Sequence, residues 1–270
     1  MAYEWVIPAA TEAYDHREEL LSAWDRIVSS LLGKKSRIVF TGMPGAGKTV
    51  LLDFLSGKGF SQNYSPPLTS QQEEKGRVVA PRKRIQISVV PGQTSRPRLQ
   101  SLEELFTGRK PVDGIVHVVA NGLNEIRGTY TREVLVKDTG LKTIPEFRRH
   151  QQAQELLDLD SVCNIIRSSH QRHRKPNWLL VAVAKVDLFH EELDTARAYY
   201  SPDAQSQFTQ RVLDLQKQIG SDYFRWDAAP VCSWLENFQW NGQTQKSQLS
   251  LRQRNGLLRQ FSSLLESYCG

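Results

Sequence analysis

An α/β fold, with a mostly parallel sheet of six strands covered by helices on both faces, is predicted by three features of the sequence. Short apolar runs such as SRIVF, GIVHVVA and WLLVAVAKV alternate with segments whose apolar residues recur at three- and four-residue spacing. One glycine-rich stretch, TGMPGAGKT from Thr41 to Thr49, parts the first of these runs from a helical one, KTVLLDFL. Two extended segments, RVVAPRK and RIQISVV, follow each other through a short basic turn, which makes them an antiparallel pair and supplies the one exception to a parallel sheet.

The elements can be justified in order. From about Thr11 to Leu32, Leu20, Leu21, Trp24, Ile27, Val28 and Leu31 share one helical face, with Thr11 as a cap and Gly33 as a stop. Its polar face carries Glu12, Asp15, Glu18, Glu19 and Asp25 against Arg17 and Arg26, whereas a lipid-surface helix prefers basic residues there, so the apolar face should pack on the domain or on a partner protein and not on lipid. We treat residues 1–35 as a helical extension and 36–270 as the main domain. After the strand pair come a helix in RPRLQSLEELF, the strand GIVHVVA and an enlarged connection at about 123–177. That connection holds the charged stretch NEIRGTYTREVLVKDTG and a long helix, or two, beginning at IPEFRRH. Then follow the strand WLLVAVAKV, a helix in SPDAQSQFTQRVLDLQKQI, a short last strand in APVCSW and a closing helix in LRQRNGLLRQFSSLLESY. FQWNGQTQ carries Asn241-Gly242, a strong signal for a tight hairpin.

Composition excludes several classes. Of 270 residues 39% are hydrophobic and 24% charged, which describes a globular chain, and no apolar run is long enough to span a membrane. The basic excess is small, 35 Lys plus Arg against 29 Asp plus Glu. The basic run His170, Arg172, His173, Arg174, Lys175, with Arg148 and Arg149, has few aromatics to stack on bases and reads as a solvated helix end, so no strong nucleic-acid signal is present. Cys163, Cys232 and Cys269 are far apart and odd in number, which points to a reducing compartment, the cytoplasm. The N-terminus lacks a secretory pattern, and neither Met1-Ala2 nor the end SYCG is a lipidation signal, so no permanent membrane anchor is expected.

TGMPGAGKT fits G-x-x-x-x-G-K-[ST] at Gly42, Gly47, Lys48 and Thr49. Between a strand and a helix, backbone N–H groups around Gly45, Ala46, Gly47 and Lys48 would turn inward on phosphate oxygens, with Pro44, Thr49 and Val50 flanking them at the same site. Lys48 would reach the terminal phosphates and the Thr49 hydroxyl would ligate Mg²⁺. The fold is thus of the P-loop NTPase type, a three-layer α-β-α arrangement. Further on, VAVAKVDLF sets Lys185 and Asp187 at the end of a buried strand. A carboxylate there accepts two hydrogen bonds from guanine's ring N–H and amino group, while adenine offers no such donor pair. The Lys185 stem can lie over the base.

With these motifs in view, the chain resembles a Ras-like small GTPase of the translation-factor-related class. SPPLTSQQ places Thr69 about twenty residues past Thr49, where the family has its Mg²⁺- and γ-phosphate-sensing threonine, with Ser65 and Ser70 close enough to compete. ISVVPGQTS matches the second switch at Gly92 and Gln93, AKVD matches NKxD, and PVCSW sets Cys232 and Ser233 at the base-contacting loop. The resemblance implies that Gly92 bonds the γ-phosphate, Gln93 orients the attacking water, Thr69 joins Thr49 on Mg²⁺, and the backbone near Ser233 meets the guanine carbonyl. It implies GTP or GDP as ligand, and an effector or activating protein as partner.

The chain departs from the pattern at three places. Val89 stands where the family has an aspartate that holds a Mg²⁺-bound water. Ala184 replaces the asparagine of the fourth motif, and Pro44 occupies a position often filled by glycine. GTP binding should survive these changes better than fast hydrolysis. Arg96 and Arg98, just past Gln93, are read as a solvated helix start and not as an internal arginine finger. Three readings therefore stand: a slow GTP-hydrolysing switch, a nucleotide-bound scaffold with little or no hydrolysis, and an ATP-using P-loop protein.

Overall fold

In the computed structural model, residues 3–9, 17–33, 37–67, 74–80, 83–89, 106, 112–126, 128–171 and 176–269 are described. The strands are β1 (Arg37–Thr41), β2 (Glu74–Ala80), β3 (Lys83–Val89), β4 (Val112–Val119), β5 (Trp178–Val183), β6 (Arg225–Pro230), β7 (Phe238–Trp240) and β8 (Gln243–Gln245). The helices are α1 (Arg17–Gly33), α2 (Lys48–Leu55), α3 (Thr129–Lys137), α4 (Ile144–Gln171), α5 (Leu193–Tyr200), α6 (Gln207–Ile219) and α7 (Leu251–Cys269). Six strands form one sheet in the order β2-β3-β1-β4-β5-β6, and β7 pairs with β8 in a separate two-stranded sheet. β2 runs antiparallel to β3, and the other neighbours in the large sheet are parallel.

Strand alternation explains how one sheet serves two cores. In β5, Leu179, Val181 and Val183 face one cluster, and Trp178, Leu180 and Ala182 face the other. β1 does the same with Val39 against Ile38 and Phe40. The period of two sends successive side chains to opposite faces, and both faces are apolar because helices cover both. One cover is α4 with α6, through Phe147, Leu159, Val162, Ile166, Phe208 and Val212. The other is α1, α2 and α7, through Leu20, Ile27, Leu51, Phe54, Phe261 and Leu265. Gly114 in β4 is forced by this packing: a Cβ there would lie 1.9 Å from the Trp178 ring.

The periodicity read in the N-terminal helix is the face that it buries. Leu20, Trp24, Ile27 and Val28 are at most 3% exposed, and α1 ends at Gly33. Arg26 pairs with Glu266, and Arg259 with Glu19 at 3.3 Å, so α1 is also pinned to α7 by charge. Thr11 lies outside the described residues. Ahead of α1, Tyr3 and Trp5 lie against β6: the Tyr3 N–H donates to Asp227 at 3.4 Å and the Trp5 indole N–H to the Ala228 carbonyl at 2.9 Å.

One local expectation needs correcting, and one left open between two alternatives is decided. The last large-sheet strand is RWDAAP, not APVCSW, because its pairing with β5 runs from Trp178–Arg225 to Val183–Pro230 and stops there. Val231 adds a last bond to β5, its N–H donating to the Val183 carbonyl at 2.9 Å, and Val231 and Cys232 stay buried past the last paired residue. The long segment after Thr143 is a single helix, opened by a capping box. The Thr143 N–H donates to Glu146 at 2.9 Å, and the Glu146 N–H donates back to the Thr143 hydroxyl at 3.4 Å. The hairpin at Asn241-Gly242 is present, with φ of 43° and 78° at the two turn residues.

Candidate functional site

The C-terminal ends of β1, β4 and β5 and the loop after β6 converge on one side of the sheet, where ligands of open α/β folds bind. There a cavity of about 250 Å³ is bounded by Gly45, Ala46, Gly47 and Val50 on one side and by Ala184, Lys185 and Asp187 on another. Ser233, Trp234 and Phe238 close it from the loop after β6 and from β7. Three motifs separated along the sequence thus share one cavity.

The glycine-rich loop takes its shape from residues that only glycine replaces without strain. Gly45 has φ of 72°, and a Cβ on it would lie 2.1 Å from the Glu125 carbonyl oxygen. The Glu125 N–H donates to the Gly45 carbonyl at 3.2 Å, which ties the loop to the turn after β4. Lys48 is buried, and its Nζ donates to the carbonyls of Gly42 and Met43, each at 2.8 Å. The ammonium therefore sits inside its own loop, at the start of α2. Thr49 and Val50 follow it in the first turn, each half-buried. Pro44 is exposed at the loop tip.

Asp187 is 1% exposed. Its Oδ1 accepts the Cys232 thiol at 3.3 Å, and its Oδ2 is buried with no hydrogen-bond partner. Burial pushes its pKa above the ordinary 3.8, while the Ser247 hydroxyl, the Cys232 thiol and the Lys185 charge pull the other way. A buried acceptor without a donor costs on the order of 1–3 kcal/mol. Lys185 has the left-handed φ of 60°, donates through Nζ to the Leu123 carbonyl at 2.8 Å, and has that nitrogen 5.9 Å from the centre of the Phe238 ring. Ser233 and Cys232 are both buried, and Cys232 also approaches the Trp234 carbonyl at 3.7 Å.

Other predicted site residues are not brought into view. Thr69, Gly92 and Gln93 lie outside the described residues. Val89, at the end of β3, pairs in backbone register with Phe40 of β1, beside the glycine-rich loop. Among the described residues no cluster of three His, Cys, Asp or Glu could hold a metal ion. No helix among them is long and apolar enough to cross a membrane.

Several contributors were missed by sequence reading. Trp234 joins an aromatic cluster with Phe54 and Tyr64, at centroid distances of 6.3 and 5.8 Å. The Tyr64 hydroxyl donates to Asp53 at 3.0 Å, so the loop closing the cavity is packed against the segment that leads toward Thr69. Glu155 is wholly buried, and its Oε1 accepts from the N–H of Ala120, the N–H of Gly122 and the Asn124 amide, at 2.8–3.2 Å. Its Oε2 accepts the Tyr200 hydroxyl at 2.8 Å. Burial still holds its pKa above the usual carboxylate range. An acidic residue in a helical pattern carries no sequence signal for such a role. Phe238 and Trp240 had one in the hairpin turn, since β7 packs on Phe147 with ring centroids 5.6 and 4.0 Å away.

The strand order, the loop between β1 and α2 and the cavity beside it define the class: an α/β domain of the P-loop NTPase type. No family model and no curated protein matches the chain. Similar solved structures include an ADP-ribosylation-factor-like GTP-binding protein, the small COPII coat GTPase of Encephalitozoon cuniculi, in complex with GDP. It is 16% identical with a TM-score of 0.38, over 92% of this chain and 88% of that one. Toc33 from Arabidopsis thaliana is 14% identical with a TM-score of 0.42, over 97% and 96% of the two chains. The signal recognition particle receptor SRb of Chaetomium thermophilum, solved as its GTP form with SRX, is 14% identical with a TM-score of 0.39, over 74% and 94%.

Proposed function

We propose that this chain is a guanine-nucleotide-binding protein that holds GTP or GDP with Mg²⁺ and works as a slow GTP-hydrolysing switch. One observation carries the reading: the cavity joins a phosphate-type loop at Gly45–Gly47 to the buried Asp187, whose Oδ2 lacks a donor. Guanine's N–H and amino group are the pair of donors that would satisfy that carboxylate. Amides of Gly45, Ala46 and Gly47, with the start of α2, would face the phosphates, and Lys48 would turn from its own carbonyls toward them.

Thr49 and, when the third phosphate is present, Thr69 would supply hydroxyl oxygens suited to a hard cation. Bound Mg²⁺ would neutralise charge on the phosphates. Gln93 would orient the attacking water and Gly92 would bond the γ-phosphate. Loss of that phosphate would release both loops, and an effector or activating protein in the cytoplasm would read the difference. Such a partner must bind one nucleotide form more tightly than the other, and equal affinity for both contradicts the switch.

A single-turnover assay tests hydrolysis. GTP loaded on the wild type should decay faster than on Gln93→Leu. Equal decay would favour a nucleotide-bound scaffold of the same fold, the reading that Val89 supports, since its side chain offers no oxygen for metal-bound water. An ATP-using protein is the reading that Ala184 supports, and it requires Asp187→Ala to leave nucleotide choice unchanged.

A further inference from the structure

The cavity has a charged wall that the motifs do not account for. Among the described residues that line it, the carboxylates are Glu125, Asp187 and Glu236, and the cations are Lys185 and Arg132. Lys185 directs its ammonium to the Leu123 carbonyl at 2.8 Å. Arg132 belongs to α3, a nine-residue helix in the enlarged connection with no buried residue of its own. Its Nε–H donates to the Ile126 carbonyl, and its terminal nitrogens have no partner among the described residues.

The route from Arg132 to the phosphate-type loop is short. Ile126 follows Glu125, whose N–H is bonded to Gly45 at 3.2 Å. Two hydrogen bonds and one peptide link therefore tie the guanidinium to the wall formed by Gly45, Ala46 and Gly47. The turn behind it is fixed by Glu155 through Ala120, Gly122 and Asn124. The planar fork of an arginine matches two oxygens of a phosphate, and half-burial strengthens the attraction. Such a cation would add to the attraction that Lys48 and the start of α2 offer a polyphosphate in this cavity.

We propose that Arg132 is a binding residue for the nucleotide's phosphates, supplied by α3 of the same chain. The proposal rests on the guanine-nucleotide reading and adds a contact that the motifs do not contain. The test uses the full chain as wild type, Arg132→Ala, Arg132→Lys and Asp187→Ala. Equilibrium affinity for GDP and GTP is measured, together with amide hydrogen exchange of the free protein across residues 45–126.

Arg132→Ala should weaken GDP and GTP roughly tenfold to a hundredfold, as loss of a charge-assisted hydrogen bond does. Arg132→Lys should recover part of this, and exchange in the free protein should not change. Affinity of Arg132→Ala within about twofold of wild type overturns the proposal. So does a loss accompanied by faster exchange at 45–126, which would make Arg132 only a brace for Ile126. If Asp187→Ala weakens GDP and Arg132→Ala does not, the guanine reading stands and this contact falls. A wild type that binds no GDP removes both.

Discussion

The Cys232 thiol donates to Oδ1 of Asp187 across 3.3 Å, leaving Oδ2 of the same carboxylate buried and without a partner. The two residues come from the turn after β5 and the loop after β6, so the contact joins two of the motifs that line the cavity. Burial and the Asp187 charge push the Cys232 pKa well above its ordinary value, which keeps the thiol protonated and able to donate. One carboxylate oxygen is thereby held in place, and the other is the acceptor that the proposed function assigns to the base.

Asp187→Asn tests which ligand. The amide offers one acceptor and one donor where the carboxylate offered two acceptors. Guanine presents two donors on the matching edge, whereas xanthine presents a donor and an acceptor. GDP affinity should fall at least tenfold, and xanthosine diphosphate should bind as well as or better than GDP. Equilibrium competition reads both, and an unchanged preference for GDP would contradict the assignment.

The same carboxylate sets a pH dependence. Its pKa is raised above 3.8 in the folded, unliganded protein, chiefly by burial. Its contribution to folding stability is full below the unfolded value and is lost as pH rises through the folded one. Guanine binding has the opposite sign, because two donors require the ionised form. GDP affinity of the wild type should fall as pH drops from neutrality toward 3.8, while that of Asp187→Asn should lack this component. A flat wild-type profile would show that the carboxylate does not meet the base.

Gly45→Ala should harm both fold and binding. Its Cβ would enter the Glu125 carbonyl at 2.1 Å, and φ is 72°. Gly47→Ala has a φ of 99° but no atom within 4 Å of the new Cβ. Both carry left-handed strain of about 1–3 kcal/mol, and Gly45→Ala should cost more in urea denaturation. Equal costs would mean that the contact with Glu125 is not maintained.

Removing Glu155 should release the turn at Ala120–Asn124. Glu155→Ala leaves three donors and the Tyr200 hydroxyl without their acceptor, a loss of about 3 kcal/mol or more. Tyr200→Phe should cost about 1 kcal/mol. Denaturant midpoints measure each, and a Glu155→Ala effect no larger than that of Tyr200→Phe would show the turn to be held by other contacts.

The centre of the sheet was legible because β1, β4 and β5 are buried along their whole length, and continuous apolar runs such as WLLVAV have few other uses. The two poles of the cavity, Gly45–Gly47 and Asp187, were legible as well, since they sit in short stretches whose spacing follows from local geometry. Its walls were not. Arg132, Phe238 and Trp234 reach the cavity through long-range packing, for which neighbouring residues give no pattern. The end of β6 was misread because Val231 and Cys232 are as apolar as strand residues, and only pairing with β5 decides where the ladder stops.

Equilibrium binding of GDP, GTP and ATP to the purified chain, with and without Mg²⁺, tests the central claim most directly. GDP and GTP should bind at least a hundredfold more tightly than ATP, because adenine cannot satisfy the two acceptors of Asp187. ATP binding equal to GTP, or no binding of any of the three, would contradict the account.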